Sequence, residues 1–537
     1  MTVSTRDATP RFVICFALLL FAWTHRHALG MSGFADDLGL LADLSARAQQ
    51  GSLLVDVLRH VSEPLWPGST MWRPLPYASF ALDAALWGAD GGLWHITNLL
   101  LHLACATVAG LICRDITLEA RAGAVGFAVF LLIPWSPEVV IWLVGRFDGW
   151  AALGVLTALW AALKSNGLDR RWLLSLCAGA CAYASKESAL ILPVWIAVIT
   201  LNASYRAQAA DGSTRILLAR RVLSQTFKKH GTLIAAHAIL ALAYLFWRAS
   251  LFSASSLNVY ATAPELSIVQ LGSRVWEHLR FPLGLLPLSP IAAWIAGVCA
   301  VLAIALASHS EQRSCALVGA VFIATVVAAV AAYFPAAPGD GDGYRLYYLA
   351  TIGIALIAAS ASTSPSRIAP LVLLALLGAL ATWQAWVSDE WSRASREMKG
   401  SEAALRRTAI ALPPQDYGLV LLPDHMAHVP FARNAQGALP KLSGLAAPTV
   451  DVLNHLVAFT PPQIDEWHRL AQQDVVRKIT SRDDAPARPT QYFCYNPRTQ
   501  NLQALGFWDP GTLEDWRRKW RESVAATCRR NNAVAVR

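Results

Sequence analysis

GLWHITNLLLHLACATVAGLICRD, residues 92–115, is apolar with few interruptions from about 93 to 113 and meets its first charge at Arg114. As a helix such a run is about 30 Å long, the depth of a bilayer's hydrocarbon layer. Backbone N–H and C=O groups find no water at that depth, so the segment satisfies itself as a helix. Runs of the same kind recur near 11–30, 121–135, 145–163, 231–252, 288–308, 315–335, 344–362 and 367–387. The interval between Arg171 and Arg206 is basic at both ends. Both ends therefore belong on one side, and two short helices fit between them, with Ser185, Lys186, Glu187 and Ser188 at their turn. About eleven spans result.

Composition agrees. Of 537 residues, 55% are hydrophobic and 15% charged, where a soluble chain carries about a quarter charged; mean hydropathy is +0.40. The expectation is an all-α polytopic membrane protein over residues 1–388, followed by a small mixed α/β domain over 389–537. In that tail Leu419–Leu422 and Tyr492–Tyr495 read as strands and 512–526 as a helix.

The net charge of +9 does not point to nucleic acid. Much of the surplus lies between Arg206 and Lys229, with Arg215, Arg220, Arg221 and Lys228 opposed only by Asp211. No aromatic platform or reader motif accompanies it, and the positive-inside rule reads it as a cytoplasmic loop. Arg6 and Arg11 before Phe12–Trp23 resemble a signal peptide, read here as a retained first helix because many spans follow. That helix runs outward into a loop over 31–92 with excess acid: Asp36, Asp37, Asp43, Asp56, Glu63, Asp83 and Asp90 against Arg47, Arg59 and Arg73. Residues 264–287, amphipathic and broken by Pro282 and Pro287, belong along the outer interface. By parity the tail is also outside, where Cys494 and Cys528 could pair, closing a loop worth about 3–4 kcal/mol. Trp66, Trp72, Trp87, Trp94, Trp135 and Trp142 fall at outer ends, the aromatic-belt position. The expected location is the inner membrane of a bacterium, with tail and outer loops in the periplasm.

Charges at membrane depth are costly and tend to have a role. Here they gather at one face: Asp36 and Asp37 after the first helix, Arg73, then His95, Asn98 and His102 at i, i+3 and i+7, then Glu138, Arg146, Asp148, Lys186, Glu187 and Arg345. A carboxylate can take a proton from an acceptor hydroxyl, and Arg or Lys can hold a departing phosphate. Structural readings stand beside these: a solvated acid pair at 36–37, an interhelical network on the His/Asn face, and ion pairs Glu138–Arg146 or Asp148–Lys186. The two histidines are two turns apart without a close third ligand, so no metal is expected. Asp424, His425 and His428 read as a surface turn. The absence of an internal repeat or of matching halves weakens a transporter built from inverted repeats.

In order, Asp36-Asp37, Trp72-Arg73-Pro74-Leu75, His95-x-x-Asn98-x-x-x-His102, Pro134-x-x-Pro137-Glu138 with Trp142, Gly145-Arg146-x-Asp148, Ser185-Lys186-Glu187 and Arg345-Leu346-Tyr347 resemble the membrane glycosyltransferases of the C-type (GT-C) fold. The resemblance is strongest to the protein O-mannosyltransferase group, including its members with tetratricopeptide repeats, and covers about residues 10–390. It implies a polyprenyl-phosphate-sugar donor, a protein or envelope-glycan acceptor, inversion at the anomeric carbon and no cofactor. It implies Asp36 or Asp37 as base, Asp36 first; Arg73, Lys186 and Arg345 on the lipid phosphate; and His95, Asn98, His102, Glu138, Arg146, Asp148 and Glu187 shaping the site. Ile133 and Ser136 stand where the family often has histidine, and the tail lacks the repeats. A lipid flippase or transporter, or an envelope glycan ligase or polymerase using a diphosphate lipid, are the alternatives.

Overall fold

The structure, a computed structural model, describes residues 5–66, 70–208, 215–252, 268–280, parts of 298–305, 310–333, 343–413 and, in pieces, 416–455 and 490–508. Helix α1 (Thr5–Thr24) leads to three helices in the loop expected outside: α2 (Asp36–Gln49), α3 (Leu53–Arg59) and α4 (Pro74–Trp87). Then come α5 (Gly91–Thr117), α6 (Ala120–Leu131), the single-turn α7 (Ser136–Val140), α8 (Arg146–Lys164), α9 (Arg170–Tyr183), α10 (Leu192–Gln208) and α11 (Arg215–Phe252). The helical part ends with α12 (Ile268–Arg280), α13 (Ser310–Tyr333), α14 (Thr351–Ser362) and α15 (Ala369–Ala411).

Among the described residues, seven helices are long and apolar enough to cross a membrane: Pro10–Gly30, Gly91–Thr117, Glu187–Gln208, Leu218–Phe252, Gln312–Ala332, Tyr344–Ser362 and Ala369–Ala411. Helices α6, α8 and α9 are outside that set, and most of 288–308 lies outside the described residues. The chain is thus a mostly helical, polytopic membrane protein with a small strand-bearing tail. As expected, 171–206 folds as two helices with a turn at 184–186. Helix α12, with 13 residues, is about 20 Å long and too short to cross.

Two segments differ from expectation. The basic stretch before 231 is not a loop: Arg220, Arg221, Lys228 and Lys229 ride on α11, 38 residues and about 57 Å long. Leu, Ala, Arg, Gln and Lys dominate that stretch and are strong helix formers, so the helix continues past the hydrocarbon layer. The turn expected at Pro134–Glu138 is instead an irregular hairpin over 132–145, buried along its whole length. Irregular backbone survives at membrane depth only inside protein that satisfies it. Here side chains from other helices do so. Asn98 Nδ2 on α5 reaches the carbonyls of Val139, Trp142 and Leu143 at 3.3–3.4 Å, and His95 Nε2 lies 2.7 Å from Ile141 O. From α15, Gln384 Nε2 donates toward Leu131 O (2.9 Å), Ile133 O (3.2 Å) and Ser136 Oγ (2.7 Å), while its Oε1 accepts from Thr24 Oγ1.

Close crossings hold the remaining helices. A Cβ on Gly319 would stand 2.5 Å from Gly353 O, and one on Gly353 2.4 Å from Gly319 O, so only glycine lets α13 and α14 meet there.

Helix α15 passes position 388 unbroken into the tail, whose order is β1 (Tyr417–Pro423), β2 (His425–Met426), β3 (Val429–Pro430), α16 (Ala438–Leu442), β4 (Val450–His455), β5 (Thr490–Asn496) and β6 (Asn501–Trp508). The sheet runs β4-β1-β5-β6, with β1 parallel to both neighbours and β6 antiparallel to β5. Strand β1 is almost wholly apolar, as a strand covered on both faces should be. His425 is buried on β2 and so is not part of a surface turn; Asp424, His428 and the 512–526 segment lie outside the described residues. Cys494 is disulfide-bonded, and Cys528 lies outside the described residues.

The tail rests on the first outer loop. Ala35 N donates to Phe431 O at 2.8 Å, Ser32 N to Ser395 Oγ at 2.9 Å and Lys399 Nζ to Gly30 O at 2.6 Å, and Phe34 meets Trp391 edge-on with ring centroids 5.2 Å apart. Loop and tail therefore share one side of the membrane.

Gln384→Leu should strand the hairpin's carbonyls and lower stability by about 1–3 kcal/mol per orphaned group. Thermal unfolding in detergent measures this, with exposed Thr107→Ala as the neutral control; an unchanged Gln384→Leu midpoint would remove the clamp from the account.

Candidate active site

Three predicted phosphate-holding residues and their acids meet beside the hairpin. Lys186 Nζ donates to Asp148 Oδ1 at 2.5 Å. Arg73 Nη2 reaches both oxygens of Glu187, at 2.9 and 3.1 Å, with its guanidinium 4.8 Å from the Phe147 ring. Arg345 lies 3.9 Å over Trp142, with Nε 3.9 Å from Asp148 Oδ2 and Nη1 3.8 Å from Glu138 Oε1. Asp148 thus faces both Lys186 and Arg345. Burial pulls the Lys186 ammonium below its usual pKa; Asp148 opposes that, while Arg73 and Arg345 push it further down by repulsion. The three cations are close enough to feel one another.

Local sequence sets this geometry. Gly343 has φ +127, a value side-chain-bearing residues avoid, and the turn aims Gly343 N (2.9 Å) and Arg345 N (3.3 Å) at the Glu138 carboxylate. Pro137 at the start of α7 and the Pro74 that opens α4 fix two further helix starts. Arg345 Nη1 and Asp148 Oδ2 are buried without a hydrogen-bond partner among the described residues; Nη1 faces Glu138 Oε1 at 3.8 Å and Oδ2 faces Arg345 Nε at 3.9 Å, ion-pair contacts only.

The Asp36-Asp37 pair divides. Both stand in the first turn of α2, where the helix dipole favours a carboxylate. Asp37 is fully buried and accepts from Phe34 N (3.0 Å), Leu143 N (3.1 Å) and Val144 N (2.9 Å), tying the outer loop to the hairpin. Burial pushes its carboxyl up to about 8 against the pull of those N–H groups. Asp36 is only half-buried. Just before them Ala35 takes φ +46, ψ −117, a conformation disfavoured for any side chain and worth about 1–3 kcal/mol of strain. The tail's Phe431 carbonyl holds it there.

The remaining predicted residues build the framework. Arg146 pairs not with Glu138 but with Asp83, at 2.5 Å, and also meets Asn98 Oδ1 (2.6 Å), Trp94 O (2.9 Å) and the Phe80 ring (4.2 Å). It points back toward α4 and α5, whereas Glu138 faces the 343–345 turn. His102 bridges Tyr348 Oη (2.5 Å) and Leu131 O (3.1 Å). Trp94, Trp135 and Trp142 are buried around the hairpin, so they do not serve the aromatic belt. Among the described residues there is no group of three or more His, Cys, Asp or Glu placed to hold a metal.

No family model matches the chain. A curated relative does: Protein O-mannosyl-transferase Tmtc1 of Drosophila melanogaster is 29% identical over 174 residues, 32% of this chain. The chain resembles a membrane O-mannosyltransferase. The aligned part spans about a fifth, 19%, of that relative's length. Among solved structures, the crystal structure of ArnT from Cupriavidus metallidurans in the apo state superposes with a TM-score of 0.49 and 11% identity, covering 92% of this chain and 94% of that one.

Sequence reasoning missed three contributors. Asp83 was read only as loop acid, although it is the partner of Arg146. Gln384 was legible as an amide inside the apolar run 369–387. Arg248, buried near the outer end of α11, donates to Thr70 O at 3.1 Å and acts electrostatically on Glu187; its position inside a span was the signal.

Arg146→Met should cost about 3–5 kcal/mol by leaving Asp83 buried and unpaired, and Arg146→Met with Asp83→Leu should recover much of it. Unfolding midpoints of both variants test this, and equal losses would show that the pair is not coupled. A raised folded-state pKa means that Asp37's contribution is full below about pH 4 and drains away as pH rises to about 8. The wild-type midpoint should therefore fall between pH 5 and 8 relative to Asp37→Asn; parallel curves would contradict that assignment.

Proposed function

We propose that this chain transfers a sugar from a polyprenyl-phosphate carrier to an acceptor, a protein or an envelope glycan or lipid, at the extracytoplasmic face of the membrane. The observation that supports it most is the cluster of Arg73, Lys186 and Arg345 around Asp148, joined through Trp142–Val144 to the Asp36-Asp37 turn. The name of the curated relative, an O-mannosyl-transferase, agrees with a mannosyltransferase-like enzyme.

On this reading the donor phosphate docks on Lys186 and Arg345, with Arg73 behind them held by Glu187. Asp36 takes the proton from the acceptor hydroxyl, whose oxygen attacks the anomeric carbon from the face opposite the phosphate. The bond from that carbon to the phosphate oxygen breaks, its electron pair leaves with the lipid phosphate, and the sugar inverts. Charge growing on the phosphate is met by cations already fixed in a low-dielectric setting. Asp37 fixes the loop; His95, Asn98, His102, Glu138 and Arg146 fix the hairpin; no metal takes part. The orientation is supported by basic Arg114, Lys164 and Arg206 at the opposite ends of their helices, and the disulfide at Cys494 suits an exported tail.

Asp36→Asn should lower turnover at least 10²-fold while donor affinity stays within about twofold. Lys186→Met and Arg345→Ala should weaken donor binding tenfold or more. Transfer assays with monophosphate- and diphosphate-linked sugars read both effects. Normal turnover in Asp36→Asn would remove the base, and preference for the diphosphate donor would point to an envelope glycan ligase.

A further inference from the structure

At the end of the bundle away from the carboxylate turn, two cavities adjoin. The first, about 670 Å³, is a slot between α10, α11 and α13 lined by Val198, Leu201, Leu218, Val222, Leu317 and Val321. Leu201, Leu317 and Val321 are exposed large apolar side chains, as is Leu223 at the same slot, so the slot opens toward the surrounding lipid. The second, about 530 Å³, is mixed, with Asp115, Lys164 and Arg206 beside apolar Ile116, Leu118 and Leu163. Asn202 lines both, so the apolar slot and the charged cavity stand side by side. Around the charged cavity, Arg114 Nε (3.1 Å) and Lys164 Nζ (3.0 Å) converge on the single carboxylate of Asp115, and Arg206 adds a third cation. Among the described residues that border this cavity, the cations outnumber the carboxylate, surroundings suited to an anionic headgroup.

We propose that these adjoining cavities bind a diacyl phospholipid with an anionic headgroup from the leaflet at the basic end. One acyl chain fills the slot, and the phosphate sits beside Lys164 and Arg206. Basic pockets between membrane helices recognise anionic headgroups by this combination of depth and charge. The glycosyl donor is not the occupant: Asp115 lies 20 residues along α5 from His95, about 30 Å from the catalytic end. The lipid would brace α10, α11 and α13 against one another.

Native mass spectrometry of the delipidated full chain, titrated with dioleoyl phosphatidylglycerol or dioleoyl phosphatidylcholine, tests the proposal. One molecule of phosphatidylglycerol should bind saturably, about tenfold tighter than phosphatidylcholine. Leu317→Trp, at an exposed position where folding is not at stake, should fill the slot and cut that binding at least tenfold. Arg206→Gln and Lys164→Gln should abolish the preference so that both lipids bind alike, and detergent-only unfolding midpoints confirm that each variant is folded. Equal retention of the two lipids by the wild type, undiminished binding by Leu317→Trp, or displacement of the lipid by millimolar inorganic phosphate would each overturn it.

Discussion

An irregular backbone at membrane depth has to find its hydrogen bonds in side chains, and the hairpin at 132–145 imposes that demand on everything around it. Its carbonyls are met by Asn98, His95 and Gln384, and its amides at 143 and 144 by Asp37. These contacts tie three helices, α2, α5 and α15, to one loop, and Thr24 of α1 joins them through Gln384, so the four cannot shift independently. The cost of leaving any such group unmet is several kilocalories per mole in hydrocarbon, so the hairpin's shape and its partners specify each other.

The charge cluster follows from that rigidity. Trp142 is the floor beneath Arg345, and Asp148 begins the helix that the hairpin feeds. Buried cations gathered this closely would separate if their anchors were loose. Salt bridges of this kind contribute little net stability, since desolvation offsets most of the attraction. On the function proposed above, they serve as preparation for a charged ligand.

Much of this was legible in the sequence, and for identifiable reasons. Apolar run length revealed the helices, and polar residues placed against one end of them revealed the face that matters. The ordered motifs brought Lys186 together with Asp148 and placed Arg345 beside them. Partner choice was less visible. Whether Arg146 meets Glu138 or Asp83 depends on the direction in which a short buried helix turns, and periodicity carries no information about that. The same holds for the tryptophans: a ring at the membrane boundary and a ring under a folded-in loop occupy the same place in a linear hydropathy pattern. The basic stretch before 231 was misread as a loop because charge marks a side of the membrane without saying where a helix stops.

The strained Ala35 gives the tail a temporal role. Its N–H is held by a carbonyl at Phe431, some four hundred residues further along the chain, and α16 and Trp391 press on the same loop. The carboxylate turn is assembled early and completed last. The bond that holds the turn joins residues almost four hundred positions apart, so it can form only after the terminal domain has been made and packed on the loop. A chain stopped short of Phe431 lacks the carbonyl that closes this turn.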